Sequence, residues 1–354
     1  MEVYDYVILG GGVAGLCAAK RLLELNIQPL VIEAGDYPAH KVCGEFLSPS
    51  SLPILKQWQI HPIPIHQVQL STPSQSLKLV FPQPAGSLSH LTLDFQLAHQ
   101  ISQQGALLLT QTKVLDLSPS SCEGECHQLS LSSGEKIKAK HLLIATGRLP
   151  HDSLKRAPPR YIGFKSHFSG LELNSTLYMF SFKGAYLGLA PVENARANLA
   201  CLAKMKDIQQ FSSSQQFIKT LLSSHPLLVQ LLAPGHSLFD HWMEASVPEF
   251  GLKSTPSWPQ TYWIGDAAGT IPPASGNGLA LAIASGYLAA EFAKRQDASG
   301  FKRIWKKRCT FPIHLAKGLH QIFLNPTWGS LTIRLSHCFP FFARQIFERT
   351  RDRS

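Results

Sequence analysis

Lys165 and His167 stand two residues apart in the alternating run Tyr161–Phe168. On a strand, both side chains then turn to one face, and Phe164, Ser166 and Phe168 to the other. Facing a cavity, an ammonium and an imidazole can carry charge and protons; facing water, they make an ordinary polar strand surface. The spacing allows both. Lys41 and Cys43 have the same separation. Cys43 reads either as a proton donor or gate, or as a small buried apolar side chain. Gly10, Gly12 and Gly15 suit binding instead. In a G-x-G-x-x-G loop the first glycine permits a tight turn, the second lets a diphosphate approach the backbone, and the third lets helix and strand pack closely. Cys122, Cys126 and His127 form a close cluster that cannot complete a tetrahedral metal site, and Ser118–Gly124 beside it reads as a hairpin loop; no metal is expected.

The elements around these residues sharpen their meaning. Tyr6–Leu9 is a short apolar β-type run that leads into the glycine loop, followed by a helical pattern from Leu16 to Leu25 and a second apolar run, Pro29–Ile32, ending on Glu33. Strand, glycine loop, helix, strand, acid is the order in which a helix N-terminus meets a dinucleotide diphosphate and Glu33 meets the adenosine ribose. Far downstream, Thr261–Ile264 is another strand-like run, followed by Gly265-Asp266, then Pro272, Pro273, Gly276, Asn277 and Gly278, and a helical pattern from Leu279 to Lys294. Asp266 can accept a hydrogen bond from a ribityl hydroxyl, and the helix N-terminus can face the flavin pyrimidine, where negative charge gathers on reduction. The second motif selects FAD over NAD as the bound cofactor.

With these motifs the sequence resembles the p-hydroxybenzoate-hydroxylase-type flavoproteins, which include FAD monooxygenases, geranylgeranyl reductases and flavin halogenases. The resemblance runs from Tyr4 to about Ala293. It includes His40–Pro49, similar to the K-x-C-G-E segment of the geranylgeranyl-reductase-like branch, and His141–Arg148, like the strand that closes on FAD. Tyr161–Phe168 and Gly184–Pro191 resemble strands of the substrate sheet. The motifs and the resemblance together place FAD contacts at Gly10, Gly12, Val13, Ala14, Gly15, Glu33, Ala34, Lys41, Cys43, Val114, Gly147, Arg148, Gly265, Asp266, Pro273, Gly276, Asn277 and Gly278. They make Cys43, Tyr186, Lys165 and His167 the catalytic candidates. Four departures matter. Thr146-Gly147 stands where hydroxylases have Asp-Gly. His90 replaces an Arg four residues before Asp94, and Asp94–Gln104 reads as a helix. The Y-x-W-x-F-P motif is reduced to Tyr186, Gly188 and Pro191, and the halogenase G-W-x-W-x-I-P motif is missing.

The expected fold class is α/β: a Rossmann-type, three-layer FAD-binding domain (1–66, 91–159 and 259–300) with an inserted, mostly antiparallel β-sheet substrate domain (67–90 and 160–258) and a C-terminal helical segment (301–354). The expected function is an FAD-dependent oxidoreductase acting on a hydrophobic small molecule, with NAD(P)H as electron donor. The leading reading is a monooxygenase working through a flavin C4a-hydroperoxide. The alternative is a C=C reductase of the geranylgeranyl-reductase type, with hydride from flavin N5 and the proton from Cys43 or Tyr186. A non-catalytic flavin-binding regulator is the third.

Charge and composition set limits. The formal net charge is +10, but from Arg295 onward there are twelve Lys/Arg against three acids, so the first 294 residues are nearly neutral and a nucleic-acid role is not expected. The tail interleaves those cations with bulky apolar groups. It reads either as a peripheral contact for an anionic membrane or as helices docked on the FAD domain, cut into short pieces by Pro312, Pro326 and Pro340. Seven scattered cysteines, no signal peptide and no spanning apolar run point to a cytoplasmic protein. Nothing fixes the oligomeric state.

Overall fold

The computed structural model describes residues 1–147, 159–247 and 250–338. Along the chain run β1 (Glu2–Leu9), α1 (Val13–Glu24), β2 (Leu30–Ile32), β3 (Phe46–Leu47), α2 (Leu52–Gln57), β4 (Ile63–Ser71), β5 (Ser76–Ser87), α3 (His90–Gln103), β6 (Leu107–Leu109), β7 (Val114–Ser118), β8 (His127–Leu131) and β9 (Lys136–Ile144). Then follow β10 (Tyr161–Ser169), β11 (Thr176–Phe182), β12 (Ala185–Val192), β13 (Arg196–Lys204), α4 (Met205–Ile208), α5 (Ser214–Ser223), α6 (Pro226–Leu232), β14 (His236–Ser237) and β15 (Met243–Val247). The chain continues with β16 (Gly251–Leu252), β17 (Thr261–Trp263), β18 (Gly269–Thr270), α7 (Gly278–Lys294), α8 (Ala298–Phe323) and α9 (Pro326–Cys338).

The first sheet has the order β6-β2-β1-β9-β8-β7, with β17 also paired to β9. The strands β6, β2, β1, β9 and β17 are mutually parallel, and the apolar runs of the inner strands β2, β1, β9 and β17 are buried on both faces, as a parallel sheet between helices requires. Register aligns the carboxyl ends: Leu9 lies beside Ile32 and Ile144, and Ile144 beside Trp263. The glycine loop, Glu33, Thr146-Gly147 and Gly265-Asp266 all leave the sheet at this one edge, where ligands of open α/β sheets bind. α1 and α7 pack side by side on one face. A Cβ at Gly286 would lie 2.2 Å from the Ala14 carbonyl oxygen, so a glycine is required there.

The second sheet has the order β14-β10-β13-β12-β11-β4-β5-β3, with β15 also on β10. It is antiparallel except for β11 beside β4. Its outer face carries Phe164, Phe180, Leu187, Leu189 and Leu199, packed on Phe217, Ile218 and Leu221 of α5 and on Leu228 of α6. Its inner face turns to the first sheet. This sheet begins earlier in the chain than residue 67: β4 starts at Ile63, and Phe46–Leu47 also pairs onto it.

Two helix boundaries differ from the sequence expectation. α3 begins at His90, not Asp94, because Ser89 caps it by accepting a hydrogen bond from the Thr92 amide. Pro312 does not break the tail: α8 continues through it as one 26-residue helix. The missing N–H is tolerated because the surrounding turns are held by buried Cys309, Ile313 and Ala316. Pro326 does open a new helix, in the first turn, where no N–H is needed. Pro340 and Arg148 lie outside the described residues.

Candidate active site

The two glycine motifs meet at the amino end of α1. Gly10 has φ +102°, and a Cβ on it would stand 2.4 Å from the Ala145 carbonyl oxygen; a Cβ on Gly265 (φ +58°) would stand 2.8 Å from Ala14 Cβ. The Gly-Asp turn therefore rests directly on the dinucleotide loop. Both α1 (cap residue Gly12) and α7 (cap residue Asn277) lack a side-chain cap, which leaves their first-turn amides open to an anion. A Cβ at Gly12 would meet only Lys41 Nζ, at 3.5 Å, so the space over that loop is open and has an ammonium beside it. At the end of β2 the Glu33 carboxylate accepts from the amides of Gly11 (2.6 Å) and Gly35 (2.8 Å), fixed at the position a ribose would reach. A dinucleotide diphosphate and a flavin ring fit this edge. Ala34 follows Glu33 at the surface, whereas Val114 begins β7, paired with Leu131.

Between the sheets runs the segment His40–Leu47, and it gathers the titratable groups. Lys41 Nζ bonds Asp94 Oδ2 at 2.7 Å, and Asp94 Oδ1 bonds His90 Nδ1 at 3.0 Å. The His90 ring lies near enough to the Cys43 thiol for each to bias the other's charge, and the thiol accepts from the Glu45 amide at 3.4 Å. Burial alone would discharge His90. The Asp94 carboxylate overcomes it, with Cys43 adding to the effect, and the imidazole pKa is pushed up to about 10. In return, burial that would raise the Cys43 pKa is outweighed by the His90 ring and its charge, so the thiol is held below its ordinary 9.0. Cys43 thus sits beside a cationic ring.

Glu45 is the centre of a second cluster. Its carboxylate takes the Lys165 ammonium, the His167 Nε2 at 2.9 Å and the His90 backbone amide at 2.8 Å. Burial opposes its charge, but His167 and Lys165 hold its pKa below the usual 4.5. Lys165 and His167 share the inner face of β10, both almost fully buried, so the solvent-facing alternative is not what the fold adopts. His40 packs its ring edge on His167, with centroids 4.9 Å apart, and burial pushes its pKa down to about 4. His40, Glu45 and His167 offer metal-type ligand atoms within 4.8 Å of one another. Here the Lys165 ammonium already neutralises Glu45 and would repel a dication.

Cross-strand register places Asn198 opposite His167, and its Nδ2 donates to the Cys43 carbonyl at 3.0 Å. Among the described residues, His167 Nδ1 and Asn198 Oδ1 are buried without a hydrogen-bond partner, polar atoms aimed at the space between the sheets. Tyr186 lies on the same inner face but apart from this group. Its pairing with Leu202, two residues beyond the Lys165–Ala200 pair, puts it roughly 12 Å away from strand spacing. It packs with Leu202 and Ala274 beside the flavin-type turn, with the His320 ring edge-on at 5.6 Å.

No motif gives Glu45, His90 or Asp94 a role, and none singles out His40 or Asn198. The i, i+4 spacing of His90 and Asp94 on a helix was the available signal. Nothing in the sequence shows that His90 reaches Cys43, 47 positions away.

A family model described as pyridine nucleotide-disulphide oxidoreductase matches residues 4–169. Among curated proteins, the chain is 22% identical over 337 residues to a menaquinone reductase of Mycolicibacterium smegmatis, covering 85% of this chain and 79% of that one. It is 24% identical over 333 residues to a digeranylgeranylglycerophospholipid reductase of Thermoplasma volcanium, covering 83% and 78%. Its fold superposes on a probable FAD-dependent monooxygenase from Pseudomonas aeruginosa with a TM-score of 0.74 at 13% identity, covering 94% and 100%. The chain has the fold of the FAD-dependent oxidoreductases. The edge where the Gly10–Gly15 loop and the Gly265–Gly278 segment meet is the one that would hold FAD, and the Cys43 and Glu45 clusters lie between that edge and the second sheet.

Proposed function

We propose that the enzyme saturates a carbon–carbon double bond in a hydrophobic, isoprenoid-type lipid. The observation that carries this reading is the buried His90–Asp94 pair of α3 set beside Cys43 of the K-x-C-G-E segment. Bound FAD, reduced by NAD(P)H, would supply a hydride equivalent to one carbon of the double bond. The other carbon then needs a proton. Cys43 donates it and the charged His90 ring, held by Asp94, returns one to the sulfur; this balances hydride plus proton against the two new C–H bonds. Lys165 keeps Glu45 ionised, and Glu45 in turn fixes the His90 backbone and the His167 ring. His167 and Asn198 offer polar atoms to a substrate or water, while Tyr186, Leu202 and Ala274 give an apolar wall. The reductase names of the two curated relatives support the reading. The monooxygenase reading has the fold likeness behind it, but hydroxylation has no need of a paired thiol and imidazolium. A regulator without turnover has no need of them at all.

The test uses enzyme reduced anaerobically with dithionite and mixed with menaquinone, or with a geranylgeranylglycerol lipid, in detergent and D2O. Mass spectrometry should show product gaining two deuterium atoms, since flavin N5 also takes its hydrogen from solvent, and Cys43→Ala should abolish this while keeping flavin content. Incorporation of oxygen from labelled O2 into product, with Cys43→Ala fully active, would overturn it.

A further inference from the structure

From Ala298 to Cys338 the chain has seven Lys/Arg and no acid. α8 and α9, which make up this stretch, each bury one side and present an apolar group outward on the other. On α9, Gly329 lies against Thr72, the Ser330 hydroxyl bonds Thr72 Oγ1 at 2.8 Å, and Ile333 is buried, which fixes the inner side on β4 and β5. Trp328, Leu331 and Leu335, at i, i+3 and i+7, are then 59%, 45% and 52% exposed on the outer side, with Arg334 among them. On α8, Ile304, Lys307 and Phe311 follow the same spacing, and all three are exposed, flanked by exposed Arg303 and Lys306.

We infer that these two helix faces seat the enzyme on an anionic lipid bilayer. Apolar side chains enter the headgroup boundary and the surrounding cations neutralise lipid charge. Uniform positive charge is what argues for this occupant: a second copy of the chain would bring the same acid-free surface against itself. Among the described residues no helix is long and apolar enough to cross a membrane, so the helices lie on the surface. A cleft of about 400 Å3 opens beside this face, between Ile313, His314 and Lys317 of α8 and Phe250 and Leu252. The Phe250 ring abuts Tyr161 and His320, and His320 meets Tyr186. These packed rings join the cleft to the inner face of the second sheet. The inference deepens the reading above by naming the source of the substrate, but it is measured without substrate or turnover, so either can fail alone.

The test is sedimentation of the full-length holoenzyme with phosphatidylcholine vesicles and with mixed phosphatidylcholine–phosphatidylglycerol vesicles, at low and high salt. Binding should require the anionic lipid and weaken with salt. Lys306→Gln with Lys307→Gln should lower the partition coefficient roughly 25-fold, about fivefold per charge. Trp328→Ser with Leu331→Ser should lower it at least about tenfold, with flavin content and circular dichroism unchanged in both. No binding to anionic vesicles at low salt would overturn the inference. So would binding that neither pair of substitutions affects, or a dimer in solution that Trp328→Ser dissolves without changing vesicle affinity.

Discussion

At the scale of the residue, the site rests on charges that would be unstable singly. Glu45 is fully buried, and removing it leaves the Lys165 ammonium buried without its counter-charge. Glu45→Ala should therefore cost about 3–5 kcal/mol in urea unfolding, and adding Lys165→Met should recover part of it. His90 makes a pH prediction. Its folded pKa is raised, so its contribution to stability is complete below the ordinary imidazole value of 6.5 and is lost as pH rises toward about 10. Asp94 and Glu45 are depressed, so theirs is present above the ordinary 3.8 and 4.5 and is lost as pH falls through the lower folded values. Melting temperatures measured between pH 6.5 and 10 should decline in the wild type and flatten in His90→Gln. The same variant should slow iodoacetamide modification of Cys43 at pH 7, followed by peptide mass spectrometry, because the thiolate loses its cation. An unchanged rate would mean that the imidazole does not govern the thiol.

At the scale of the element, what matters is which loops leave which strand ends. The α1 region was legible because its demands are local: a strand run, three glycines at fixed spacing and a helix pattern leave little choice. The same holds for Gly265–Gly278 before α7. The inner face of β10 was half legible, since spacing puts Lys165 and His167 together but cannot say what they face. Their partner Glu45 lies 120 residues away, and only the packing of one sheet on the other brings it near. The start of α3 was missed for a similar reason: besides Ser89, the distant Glu193 at the β12–β13 turn accepts from the Ser89 amide at 3.0 Å and the Thr92 hydroxyl at 2.7 Å, anchoring the helix end that carries His90. The glycines separate fold from ligand. Gly15→Val should fail to fold, since its Cβ would sit 1.9 Å from the Gly10 carbonyl oxygen. Gly12→Val should fold, yet bind FAD more weakly by roughly 1–3 kcal/mol through a displaced polar contact, as titration of the apoprotein with FAD would report. Equal affinity in Gly12→Val would mean that the diphosphate lies elsewhere.

At the scale of the whole molecule, the sequence order hides how the two sheets share the chain. β3, β4 and β5 come from the first half and complete the second sheet; β17 and α7 come from the second half and complete the first. Neither half is a finished object. A chain opened between Gly147 and Pro159 would give two pieces, each with an unfilled sheet and half of the acid–base cluster: Cys43, Glu45, His90 and Asp94 on one, Lys165, His167 and Asn198 on the other. Produced separately, the pieces should aggregate through their open strand edges. Produced together they should reassemble, and yellow colour would appear only in the reunited pair, because the FAD edge and the residues above it come into being at the same moment as the docking of the halves. On that outcome, bound flavin would mark the molecules whose distant parts have found each other.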